Sequence, residues 1–113
     1  MPTGEIRDAV EYRNGIPVSP ERISQLIDMG NGGGTAILTD TRAVGQIVYE
    51  VSNDFRFWVL CNQDGRSGFV CPEPQTWMVD APNQPFPSDM TGFDYIESHA
   101  EKTLKTRLRF KTL

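Results

Sequence analysis

Two prolines flank a single carboxylate in the segment from Phe69 to Asn83, which reads FVCPEPQTWMVDAPN. Pro72 has a fixed φ angle, and Pro74 pushes Glu73 toward an extended conformation. Because each proline also removes a hydrogen-bond donor from a β-ladder, ordinary strands exclude prolines from their interiors. The segment therefore predicts a strand end that is stiffened around Glu73. Polar side chains and a large aromatic ring follow this acid, as in a site for a polar ligand.

The rest of the chain consists mostly of short apolar or alternating runs bounded by turn residues, which is typical of antiparallel β structure. The predicted strands cover residues 6–12, 35–39, 46–52, 55–61, 68–71, 92–97 and 104–112. The last two are expected to pair with each other. The short link Asn53-Asp54 predicts a tight hairpin between the strands on either side of it.

One helix is predicted over residues 19–28, with Ser19 as its N-cap, Pro20 at its first position, and three apolar residues on one face. The loop over residues 80–89 contains three prolines and is expected to lack regular structure. The turn Asn31-Gly32-Gly33-Gly34 lacks the lysine of a phosphate-binding loop and precedes a strand, so it predicts a flexible turn.

Composition limits the class of protein. A length of 113 residues suits one domain, residues 1–113, with no linker or repeat. The net charge of −4 predicts no general attraction to nucleic acid. Five bases between Lys102 and Lys111 are typical of a solvated strand face.

The sequence shows neither a membrane-spanning stretch nor a signal peptide, so we expect a cytoplasmic protein. In that compartment the two cysteines are expected to be reduced, although Cys61 and Cys71 would be able to pair across adjacent strands.

Several motifs together resemble the aldose 1-epimerase, or galactose mutarotase-like, family. Residues 71–76 (CPEPQT) and 80–83 (DAPN) are similar to its signature Cys-x-Glu-Pro-x-Thr followed by Asp-Ala-x-Asn. Pro2-Thr3-Gly4-Glu5-Ile6 resembles the family's Pro-Thr-Gly-Glu segment, and Thr91-Gly92 with residues 105–110 resembles its Thr-Gly turn and final strand. The resemblance covers nearly all of this chain but only the C-terminal portion of the family's domain. It implies an antiparallel β-sandwich, the galactose mutarotase-like supersandwich, truncated to its C-terminal part.

The resemblance also implies a chemistry for Glu73. Mutarotation of a hexose such as galactose or glucose needs a base for the anomeric hydroxyl and an acid for the ring oxygen. Glu73 matches the family's base, a role that suits a glutamate whose pKa is raised by partial burial. A surface glutamate in a rigid turn is the alternative. The family's acid is a histidine from its N-terminal portion, whereas the single histidine here, His99, matches a turn before the last strand. The chain would then be a fragment, a truncated product or a protein that has lost catalysis.

Further residues are candidates for binding the sugar. Asp28 matches the approximate position of the family's sugar-binding aspartate, although Met29 and Gly30 stand where the family often has a histidine and an aromatic residue. An acid at a helix end is an equal alternative. Trp77 would stack on a sugar ring, whereas Trp58 lies in a dense apolar run and is expected in the core. Three polar residues would bind hydroxyls or hold the loop: Gln75, Thr76 and Asn83.

The expected partners follow from this interpretation. The resemblance implies a hexose ligand and no organic cofactor. We also expect no metal, because the cysteines have no nearby histidine or Cys-x-x-Cys spacing. Sheet edges left unpaired by a partial domain would favour a homo-oligomer. The alternative function is a non-catalytic carbohydrate-binding or oligomerising β-domain without the family's catalytic histidines.

Overall fold

The computed structural model describes residues 5–18, 21–40 and 42–113, and within them it shows two three-stranded antiparallel sheets. The strands are β1 (Ser24–Asp28), β2 (Gly34–Asp40), β3 (Gly45–Val51), β4 (Phe57–Cys61), β5 (Cys71–Gln75) and β6 (Thr106–Thr112). One sheet has the order β1–β4–β5, and the other has the order β2–β3–β6. The helical elements described are α1 (Val10–Asn14), a 3₁₀ turn (Ala81–Asn83) and α2 (Ser88–Thr91). The predicted antiparallel, mainly β class is confirmed.

The two sheets meet at the indole of Trp58. Its ring packs edge-on against Tyr49 of β3, with the ring centroids 5.4 Å apart. The indole nitrogen donates a hydrogen bond to the carbonyl oxygen of Gly33, at 3.4 Å, just before β2 begins. Trp58 is buried, so its predicted place in the core is confirmed. This face of the β1–β4–β5 sheet is therefore turned toward the second sheet, and the side chains that alternate with Trp58 along β4 point to the opposite face.

The helix predicted over residues 19–28 is wrong. Ser24–Asp28 forms β1 and pairs along its whole length with β4, while Ser19 and Pro20 lie outside the described residues. The buried side chain of Asn62 fixes the approach to this strand, because its Oδ1 accepts a hydrogen bond from Ile23 N at 2.6 Å and its Nδ2 donates to Glu21 O at 2.8 Å. These long-range bonds override the weak local preference for a helix.

The strand predicted over residues 6–12 is also absent, since Val10–Asn14 forms α1. The carboxylate of Asp8 accepts a hydrogen bond from Val10 N at 2.9 Å, a local contact that favours a turn over a strand. Residues 2–4 of the Pro-Thr-Gly-Glu segment lie outside the described residues.

Two predicted pairings are wrong as well. Asn53-Asp54 does not close a hairpin, because β3 and β4 belong to different sheets. Residues 92–97 form no strand, and β6 instead pairs with β3 over all seven residues of each strand. Both corrections concern which strands become neighbours. The extents predicted from residues 35–39 and 46–52 agree with β2 and β3 to within a residue at each end.

The proline-flanked segment forms a strand rather than a strand end. β5 continues through Pro72 and Pro74, which lie opposite Leu60 and Trp58 of β4. It is an edge strand, where a missing N–H group on the outer side breaks no ladder bond. The following loop carries more regular structure than predicted, namely the 3₁₀ turn at Ala81–Asn83 and the start of α2 at Ser88.

Candidate functional site

Three of the predicted site residues project from one face of the β1–β4–β5 sheet. Across its three strands, Asp28 lies opposite Phe57 and Phe57 lies opposite Gln75, while Val59 lies opposite Glu73. Directly opposed residues point to the same side of a sheet, and side chains two residues apart on a strand do as well. The Glu73 face, as we name this surface, consists of Ser24, Leu26, Asp28, Phe57, Val59, Cys61, Cys71, Glu73 and Gln75. The structure therefore brings Asp28, Glu73 and Gln75 onto a common surface that the sequence alone did not define.

Asp28 is held in place by Arg56. The guanidinium donates from Nε to Oδ1 at 3.0 Å and from Nη2 to Oδ2 at 2.7 Å, and it also donates from Nη1 to the carbonyl oxygen of Asp89. Gly30 N donates to Oδ1 at 2.8 Å. Such a bidentate pair fixes the plane of the carboxylate as well as its position.

These contacts keep Asp28 ionised. Partial burial acts to raise the pKa of Asp28, but the hydrogen bonds from Arg56 and Gly30 and the charge of Arg56 outweigh it and hold the pKa below its usual range. Because the folded-state pKa is lowered, this group contributes stability at neutral pH that is lost as the pH falls through the acidic range. At neutral pH Asp28 is therefore an oriented hydrogen-bond acceptor.

Glu73 occupies the middle of β5, and its side chain is exposed. Cys71 lies two residues earlier on the same face, and burial together with the nearby Glu73 carboxylate raises the pKa of its thiol. A glutamate that acts as a base is expected to be partly buried, but the described residues leave Glu73 exposed. Glu73 is positioned by a stiff strand and remains open to a ligand.

A cavity of about 570 Å³ lies over the β1 side of the Glu73 face. Leu26, Asp28 and Val59 line it from the sheet, and Met78 and Phe86 line it from the segment that follows β5. This volume falls within the range of small-molecule sites, and its lining combines apolar groups with one oriented carboxylate. Neither Glu73 nor Gln75 lines this cavity.

A second cavity, of about 440 Å³, collects other predicted residues. Gln75, Thr76 and Trp77 line it together with Pro74 and Leu104. The ring of Trp77 is 37% exposed and stacks on Phe93, with the centroids 5.1 Å apart and the planes 18° from parallel. One face of this indole is therefore already covered by Phe93.

Asn83 lies outside both cavities. It is exposed, and its Nδ2 donates a hydrogen bond to Asp80 Oδ1 at 2.7 Å. This contact supports its loop-holding role. The six predicted site residues thus divide between the Glu73 face, a neighbouring cavity and a loop.

His99 lies in an exposed turn before β6, with a φ angle of +67°, and Ala100 N donates to Glu97 O at 3.0 Å across the turn. Its predicted turn position is confirmed. In residues 5–18, 21–40 and 42–113, no three acidic, thiol or imidazole side chains lie close enough together to hold a metal. Within the same residues, no helix has the length and apolar character needed to cross a membrane.

Sequence reasoning missed Arg56 and Asn62. Arg56 is a lone charge between two phenylalanines in an apolar run, and an isolated charge in such a position signals a specific partner. Asn62 follows the same run directly and is fully buried. A buried amide has to find hydrogen-bond partners, but nothing in the sequence indicates that those partners lie about forty residues upstream.

Comparison with solved structures shows a similar fold in a known protein. The solved structure of a galactose mutarotase-like protein from Clostridium acetobutylicum superimposes with a TM-score of 0.69 at 20% sequence identity. The match covers 88% of this chain and 31% of that one, so this chain spans about a third of its neighbour's length. No protein-family profile matches the sequence. The likeness shows the fold: the chain has the β-sandwich architecture of part of a galactose mutarotase-like protein.

Proposed function

We propose that this chain binds a hexose such as galactose or glucose on the Glu73 face, and that Glu73 acts as the general base in interconversion of the sugar's anomers. One observation carries the proposal. Asp28, Glu73 and Gln75 point from the same face of a sheet whose architecture is that of a galactose mutarotase-like protein.

The spacing of these side chains suits a monosaccharide. β1 and β5 are separated by one strand, so the backbones at Asp28 and Gln75 lie about 10 Å apart. The ionised Asp28 accepts hydrogen bonds from hydroxyl groups, and the Gln75 amide both donates and accepts them.

In the proposed reaction, the carboxylate of Glu73 takes the proton from the anomeric hydroxyl. The C1–O5 bond then breaks, its electron pair goes to the ring oxygen, and an acid protonates that oxygen to give the open-chain aldehyde. Rotation about C1–C2 and the reverse steps on the other face of the carbonyl give the second anomer. We propose that the acid is supplied from outside these 113 residues, because His99 lies in an exposed turn outside both sheets.

The alternative is a non-catalytic carbohydrate-binding domain. The exposure of Glu73 favours it, because an exposed carboxylate lacks the desolvated surroundings that make a glutamate an effective base near neutral pH. The two functions share the sugar-binding step and differ in whether the chain accelerates mutarotation.

Titration of the protein with galactose or glucose, followed by NMR, tests the shared binding step. We expect amide shifts at Asp28, Glu73 and Gln75. The substitution Glu73→Gln should weaken binding about tenfold, because a hydrogen bond to a charged group is worth roughly 1.5–3 kcal/mol. Glu101→Gln is the matched control, since Glu101 is an exposed glutamate before β6. Absence of sugar-dependent shifts on the Glu73 face, or equal effects of the two substitutions, would contradict the proposal.

Polarimetry separates the two candidate functions. Fresh α-D-galactose should mutarotate faster in the presence of the protein if Glu73 is a base with an acid available, and Glu73→Gln should reduce that acceleration by a factor of about 100 or more. Sugar binding without any acceleration, both in the chain alone and with imidazole buffer added as the proton donor, would assign the non-catalytic function.

We also propose that the chain self-associates through β6. All seven residues of β6 are exposed, and Leu108 and Phe110 (85% exposed) lie opposite Tyr49 and Ile47 on the face turned toward the first sheet. Residues 102–113 carry five bases and no acid, and the remaining residues carry a net charge of −9. The rest of a second copy is therefore acidic and would attract the basic side of β6. The other side of β6 is apolar and would supply hydrophobic contact.

Light scattering after size exclusion should give a mass above the 12.7 kDa of one chain. The double substitution Leu108→Ser and Phe110→Ser should return the mass to that of a monomer. Val18→Ser is the control, because Val18 is an exposed apolar residue outside both sheets. A monomeric wild-type chain would exclude self-association.

A further inference from the structure

The two cysteines lie directly opposite each other. Cys61 ends β4, Cys71 begins β5, and the antiparallel register pairs their Cα atoms. Opposed residues in an antiparallel ladder have Cα atoms about 4.5–5.5 Å apart, whereas a disulfide accepts about 4.4–6.8 Å. Both side chains point to the Glu73 face. The backbone therefore already provides the separation that a disulfide needs.

Both thiols are free and half-buried. Cys61 Sγ accepts a hydrogen bond from Gln63 N at 3.4 Å. Burial, the hydrogen bond to Glu73 and the charges of Glu73 and Cys61 raise the pKa of the Cys71 thiol. Because the thiolate is the reactive form, this environment slows the reaction of Cys71 with oxidants.

We propose that Cys61 and Cys71 are a redox pair that closes reversibly into an intrachain disulfide between β4 and β5, beside Glu73. The pairing depends only on the register of two strands that are neighbours in the sheet. The bond would join the ends of the nine-residue connection over residues 62–70.

The chemistry balances with a peroxide as the oxidant. The thiolate sulfur of Cys61 attacks one oxygen of hydrogen peroxide, the O–O bond breaks, and Cys61 becomes a sulfenic acid while hydroxide leaves and is protonated to water. The thiolate of Cys71 then attacks the sulfenic sulfur, the S–S bond forms, and a second water is released. The two sulfurs together lose two electrons and the peroxide gains them. A dithiol reverses the reaction by exchange.

Closure changes the surroundings of Glu73. Cys71 lies two residues before Glu73 on the same face of β5, so closure replaces the thiol hydrogen beside the Glu73 carboxylate with a sulfur–sulfur bond. This consequence rests on the proposed function, in which Glu73 contacts the sugar. The disulfide itself does not depend on that function.

Mass spectrometry and thiol titration test the pair directly. Reduced protein treated with a small excess of hydrogen peroxide should lose two hydrogen atoms per chain and both titratable thiols while its mass remains that of one chain, and dithiothreitol should restore it. Cys61→Ser and Cys71→Ser should each abolish this product, and NMR spectra of the reduced variants establish that they fold. Retention of both thiols, or formation only of disulfides between chains, would overturn the proposal.

A second measurement separates disulfide formation from sugar binding. Oxidised and reduced protein are titrated with galactose side by side, and an affinity that differs between them supports the link to Glu73. A disulfide that forms in a chain without any affinity for galactose would contradict the proposed function and leave the redox pair established.

Discussion

Replacing Phe57 with alanine is expected to lower the free energy of unfolding by about 3–5 kcal/mol, the usual range for a fully buried aromatic residue. The side chain of Phe57 has no exposed surface, and among the described residues only Phe55, Trp58 and Ala81 are other buried apolar side chains. A domain of this size has a total stability of roughly 5–15 kcal/mol. The substitution therefore removes a large share of the free energy that keeps the chain folded.

Urea denaturation followed by circular dichroism measures this effect. Phe69→Ala is the matched control, because it deletes the same atoms at a position that is 45% exposed in the connection before β5. If Phe57→Ala is too unstable to fold, Phe57→Leu retains much of the side-chain volume and should give a smaller but measurable shift of the midpoint. Equal shifts for the buried and exposed substitutions, each measured on the monomer, would show that Phe57 does not anchor the core.

The strands were the part of the fold that the sequence predicted best. Residues 35–39 and 46–52 alternate between apolar and polar or lie in continuous β-forming runs, and these signals are local. Both segments form strands of nearly the predicted extent, β2 and β3. The antiparallel class was predicted from the short connections between such runs, and the short link between β2 and β3 does join antiparallel neighbours.

Strand partners could not be predicted in this way. Residues 55–61 follow β3 after a short link, which predicts a hairpin, but Gly33 N donates to Phe55 O at 2.8 Å and helps bring the chain into the other sheet. β6 pairs with β3, although more than fifty residues separate the two strands in the sequence. Such pairings depend on long-range contacts that leave no local pattern in the sequence.

The candidate site shows the same division. The resemblance identified Glu73, Asp28 and Gln75 as residues of interest, and the structure places them on one face because of the strand register. That register required the segment over residues 24–28 to be a strand, whereas its apolar spacing favoured a helix. The bond between Arg56 and Asp28 joins residues 28 positions apart, so it was equally invisible in the local pattern.

Replacing Gly32 with alanine is expected to cost several kcal/mol, more than the roughly 1–2 kcal/mol of placing a side chain on left-handed backbone. Gly32 has a φ angle of +77°, and an added Cβ would overlap the carbonyl oxygen of Asn53 and lie 2.9 Å from its carbonyl carbon. Both obstructing atoms belong to the backbone, so no side-chain rotation relieves the contact. The turn predicted to be flexible is therefore packed closely against the link between β3 and β4.

Gly30→Ala separates the two causes. Gly30 has a similar φ angle of +67°, but an added Cβ there meets no atom within 4 Å. Gly30→Ala therefore has the strain of a side chain on left-handed backbone but no steric overlap. The difference in urea midpoint between the two variants measures the cost of the overlap at Gly32 alone. Because Gly33 N donates to Phe55 O next to this contact, displacement at Gly32 should also disturb the packing of Trp58. A shift in tryptophan fluorescence with Gly32→Ala and not with Gly30→Ala is expected, and equal destabilisation by both would contradict the close approach of the two turns.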